Sequence, residues 1–108
     1  MSPSPEYDAA YFTLLRARDE HAELLGYREY LIGERERLDA FVAELRRHAD
    51  RQPRRVRRRL DQTTKAVGEA VGARRSVVLA ELERMDERIS NAQAFVEECE
   101  AEVEDLRG

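Results

Sequence analysis

Six arginines, Arg51, Arg54, Arg55, Arg57, Arg58 and Arg59, fall within nine consecutive positions of a 108-residue chain. A guanidinium is permanently charged and carries a planar fork of N–H donors that matches phosphate and carboxylate, so the cluster suits holding an anion rather than moving a proton. The surroundings extend it. From Arg46 to Arg75 there are eleven Lys/Arg against three acids, Asp50, Asp61 and Glu69, while the rest of the chain has eight against twenty. The formal net charge of −4 therefore hides a basic middle and acidic remainder. Residues 46–75 contain no Phe, Tyr or Trp, which leaves base stacking without a platform and favours sequence-independent contact with phosphates. A phospholipid surface is a second anionic candidate, but no bulky apolar residue beside the arginines would insert. A third reading makes the run a solvated face, or one that pairs head-to-tail with the acidic end of another copy.

Other chemistry finds no support in residue spacing. The residue three before His21 is Arg18 and the one three before His48 is Leu45, so the Glu-x-x-His pairs of di-iron bundles are missing. His21 sits beside Asp19, Glu20 and Glu23 with no second histidine near, which reads as a surface or structural residue. The single cysteine, Cys99, falls among periodic apolar residues and reads as a small buried hydrophobe. No phosphate loop, dinucleotide turn or nucleophile elbow occurs. The expectation is a chain without catalysis, metal or cofactor.

The elements that must position the arginines are legible from periodicity. Leu24, Leu31, Leu38 and Leu45 recur every seven residues before Pro53, and Val78, Leu82, Met85, Ile89, Ala92, Val96, Cys99, Val103 and Leu106 alternate by four and three after it. That spacing keeps an apolar seam on one side of a helix. Ser4 and Pro5 make a helix start, with Glu6 and Asp8 at the positive end of the dipole; Arg46, Arg47 and His48 suit the negative end. Gln52 precedes proline and is pushed out of helical geometry. The expected organisation is a tail over 1–4, helix one over about 5–50, a turn near 50–53 and helix two over about 53–107. With 39% charged residues, 6% aromatics and no Trp, the core must be thin. The fold class is all-α: a long antiparallel helical hairpin, coiled-coil-like, with Leu24, Leu31, Leu38, Leu45, Val78, Leu82, Met85, Ile89, Val96 and Val103 carrying the packing.

Three finer expectations follow. If residues equally distant from the turn face one another, Gly33 lies opposite Val71–Gly72 and Gly26 opposite Val78, so glycines from both arms either meet at mid-hairpin or are merely tolerated. Gly68 and Gly72 are expected to kink helix two rather than open a loop, and the sequence leaves open a split into three helices. The longer helix two leaves its last turns to overhang helix one or to pack on a neighbouring molecule. The paired apolar positions Leu24/Leu25, Leu31/Ile32 and Phe41/Val42 exceed what one seam uses, so self-association into a dimeric four-helix bundle is expected.

A leucine every seventh residue beside an arginine cluster resembles the basic-leucine-zipper arrangement. In that family the basic region precedes the zipper in one continuous helix, whereas here Pro53 opens the segment, and no residue role is carried over. The chain start lacks a secretory pattern and no stretch is apolar enough to span a bilayer, which gives a cytoplasmic protein as the expectation. Its function is read as a non-catalytic oligomerisation or adaptor module offering the arginines to an anionic partner, protein or otherwise. The alternative is a nucleic-acid-binding or regulatory protein contacting phosphates through residues 46–75.

Overall fold

The computed structural model describes residues 4–108, so residues 1–3 of the expected tail lie outside the described residues. It consists of α1 (Pro5–Asp50) and α2 (Arg54–Arg107), packed antiparallel as a hairpin, with no strand among the described residues. Ser4 caps α1 as its sequence implies: the Tyr7 amide donates to Ser4 Oγ at 3.0 Å and the Asp8 amide to the Ser4 carbonyl at 3.1 Å. At the far end of α1 the Arg51 amide bonds the Arg47 carbonyl, and Gln52 returns to the Ala49 carbonyl. Pro53, lacking an amide to lose, then offers its carbonyl to Val56 and Arg57 at 2.9 and 3.0 Å and starts α2.

Contacts divide the chain into two units: a terminal unit of the chain up to Glu29 with Glu83–Gly108, and a tip unit of Tyr30–Leu82. The terminal unit is held by Ala10, Leu14 and Ala17 of α1 against Val96, Cys99 and Val103 of α2, all buried, with Tyr7 packed on the cluster. Small residues dominate it, which lets two helices approach closely. In the tip unit Leu31 and Val78 are 2% and 1% exposed, and Met85 of the terminal unit is 0%.

The seam of α1 is more regular than its leucines reveal. Stepping by four and three from Ala10 reaches Leu14, Ala17, His21, Leu24, Arg28, Leu31, Arg35, Leu38, Val42, Leu45 and Ala49, and each is buried or half-buried. His21, Arg28 and Arg35 thus occupy three successive alternate seam positions, which is why only every seventh residue stood out as apolar. In α2 the pattern slips once. Val67, Val71 and Arg75 are half-buried at successive spacings of four, beyond which the four-three alternation resumes at Val78. Such a stutter locally relaxes the left-handed supercoil.

The expected register is corrected. Equal distance from the turn would set Asp39 beside Lys65 or Ala66, but its carboxylate accepts from Arg75 Nε at 2.6 Å. Arg28–Asp86 in the terminal unit, at 3.5 Å, keeps the same offset, as does the Arg107 donor to Tyr7 Oη at 3.4 Å. The reason lies at the bend: the opening turns of α2 reach past the end of α1, so pairing is displaced along α2. Arg107 beside Tyr7 also shows that the last turns of α2 do not overhang α1. The glycines do not meet either. A Cβ built at Gly26, Gly68 or Gly72 finds nothing within 4 Å, and at Gly33 only its own helix neighbour Arg37. Finally, α2 runs through Gly68 and Gly72 as one uninterrupted helix, which removes the three-helix alternative.

Candidate anion-binding tip

Arg54, Arg55, Arg57, Arg58 and Arg59 occupy the first two turns of α2, and Arg51 the connection before it. At 100° per residue the five helical arginines spread over about 200° of the circumference. Val56 and Leu60 take the remainder, where Leu60 is half-buried. The side chains must therefore splay. All six are exposed, and Arg54, Arg55 and Arg58 border an open depression of about 370 Å³.

Electrostatics at the tip are unbalanced. Among the described residues none of these six arginines is within 4.0 Å of a carboxylate. Other arginines do find acids: Arg18 with Glu100, Arg47 with Glu44, and Arg74 with Glu34. Moreover, the first turn of α2 contains no acid. A helix N-terminus carries a partial positive charge that Asp or Glu ordinarily offsets, so arginines there add like charge to like. That arrangement raises the free energy of the isolated tip and lowers it when an anion is present.

The seam residues lie as follows. Leu31, Val78, Met85, Val96 and Val103 are buried; Leu24, Leu38, Leu45, Leu82 and Ile89 are half-buried. Sequence reasoning passed over Ala10 and Ala17, because alanine is too common in helices to signal a core. It also passed over the ion pairs that fix register. Glu34 receives Arg74 Nε and Nη2 at 2.7 and 3.1 Å, a two-pronged pair across the tip unit. This hydrogen bonding, with the charges of Arg74 and Arg37, holds the Glu34 carboxyl below its ordinary value. Cys99 moves the opposite way: burial, and then Glu102 and Glu98, raise its thiol and suppress the thiolate.

Among the described residues no three His, Cys, Asp or Glu side chains converge as metal ligands, and no helix is long and apolar enough to cross a membrane. Comparison of the chain with protein-family models, with curated proteins and with solved structures gives no match.

Proposed function

We propose that this chain is a non-catalytic coiled-coil module that self-associates and presents its arginine tip to an anionic partner in the cytoplasm. The observation that carries the reading is the set of six exposed arginines with no carboxylate within 4.0 Å among the described residues, five of them on the positive end of α2. Tyr11, Phe12, Leu15 and Leu25 remain exposed on α1, which supports assembly of hairpins into a larger bundle. In a reducing compartment the buried Cys99 stays a thiol and takes no part in that assembly.

Nucleic acid is the second reading, and the lack of aromatic residues in 46–75 restricts it to phosphate contact without base readout. Titration with duplex and single-stranded fragments at near-physiological salt tests both. Wild-type protein is expected to bind, and substitution of Arg54, Arg55, Arg57, Arg58 and Arg59 by glutamine to abolish binding while helicity is retained. Absence of binding to fragments and to acidic polypeptides alike would overturn the anionic-partner reading.

A further inference from the structure

Both units expose a feature that the hairpin itself leaves uncovered. In the terminal unit, the positions one past the seam on α1 hold Tyr11, Leu15, Arg18, Ala22 and Leu25, of which Tyr11, Leu15 and Leu25 are 41%, 36% and 40% exposed. The corresponding positions of α2 hold Glu97, Glu100 and Glu104, all exposed. In an antiparallel pair these two sets share one side, as the Arg18–Glu100 ion pair at 3.6 Å shows, since both of its members stand one past the seam. An apolar stripe crossed by Arg18 results, bordered by Glu97 and by Glu100 and Glu104, which pair with Arg18 and with Arg107 at 3.7 Å. In the tip unit an open groove of about 340 Å³ has Val42, Leu45 and Gly68 in its lining, with Arg46 and Lys65 as its cations and Glu69 as its one acid. The space over Gly68 is empty to 4 Å.

We infer that a second copy of this chain is the partner of that groove: two copies pair about a twofold axis, each groove receiving the Tyr11–Leu15 stripe of the other. The inference deepens the anionic-partner reading and rests on it, because it names a partner for the basic unit. Charge decides the pairing. The terminal unit has fifteen Asp/Glu against six Arg and the tip unit eight against thirteen Lys/Arg, so tip-on-terminal contact is attractive and like-on-like contact repulsive. Under a twofold axis the two contacts are identical and the association closes on itself. Surface is available for it. The chain exposes 8348 Å², against about 6,200 Å² for a folded monomer of this mass, and a stable dimer withdraws about 800 Å² per partner.

Charge exchange followed by sedimentation equilibrium at several salt concentrations tests the pairing. Wild-type protein is expected to be a dimer that loosens with salt. Glu97→Lys with Glu104→Lys, and separately Arg46→Glu with Lys65→Glu, should each weaken dimerisation by about tenfold or more at unchanged helicity, and the four changes together should restore it. Gly68→Leu, which fills the groove on the open side, should weaken the dimer similarly without loss of helix. Dimerisation indifferent to the reversals, or no recovery in the fourfold variant, would overturn the inference. A monomeric wild-type protein that still binds duplex fragments overturns this pairing alone and leaves the anion-binding tip standing. A salt-labile dimer, restored by the exchange but inert towards fragments, supports the pairing and makes the second copy the anionic partner of the groove in the tip unit.

Discussion

Among the described residues only nine hydrophobic side chains are buried, and Leu31, Val78 and Met85 are the three largest of those fully withdrawn from water. So thin a core makes each of them a large fraction of stability. Leu31→Ala should lower unfolding free energy by about 2–5 kcal/mol in urea titration, and an unchanged midpoint would contradict the packing. Glu34 gives a prediction in pH. Its folded carboxyl lies below the ordinary value of 4.5, so the unfolded chain binds the proton more readily. The stabilisation is present above that value and is lost as pH falls through the folded one. Glu34→Gln should therefore flatten part of the acid limb of a melting-temperature profile; an identical limb would show the Arg74 pair to be inert. At this scale the heptad leucines were legible because one large apolar residue type repeats at four alternate seam positions. Arg28 and Arg35 were not, because a charged residue at a seam position is indistinguishable by type from one on the surface.

The ends of both elements were written in local chemistry: Ser4 with its free hydroxyl, and Pro53 with no amide to donate. Register was not. Counting back from the turn assumes that both helices begin level with it, whereas the first turns of α2 reach past the end of α1 and displace the later pairs along α2. The stutter at Val67, Val71 and Arg75 adds a change of phase that a search for uniform spacing passes over. Gly68 and Gly72 flank the central part of that stretch, and both have open space where a side chain would stand. Gly72→Ala should then stabilise the hairpin by about 0.5–1 kcal/mol through helix propensity alone, read as a higher thermal midpoint by circular dichroism. A fall would mean that something packs on the backbone there.

Across the whole molecule the sequence already separates charge, and the hairpin turns that separation into two units of opposite sign. What composition could not convey is that the tip arginines stay free of acids while Arg18, Arg28, Arg74 and Arg75 are engaged between the helices. Exposed ion pairs add little stability, so those arginines serve register, and the tip arginines serve neither register nor core. Binding to duplex fragments as a function of salt measures their role most directly. Each neutralised phosphate contributes about −0.9 to the slope of log K against log salt, so engagement of five arginines predicts a slope near −4 to −5, collapsing towards zero in the five-glutamine variant. A slope unchanged in that variant, or no binding to these fragments and to acidic polypeptides alike even at about 50 mM salt where phosphate contacts are strongest, would contradict the account.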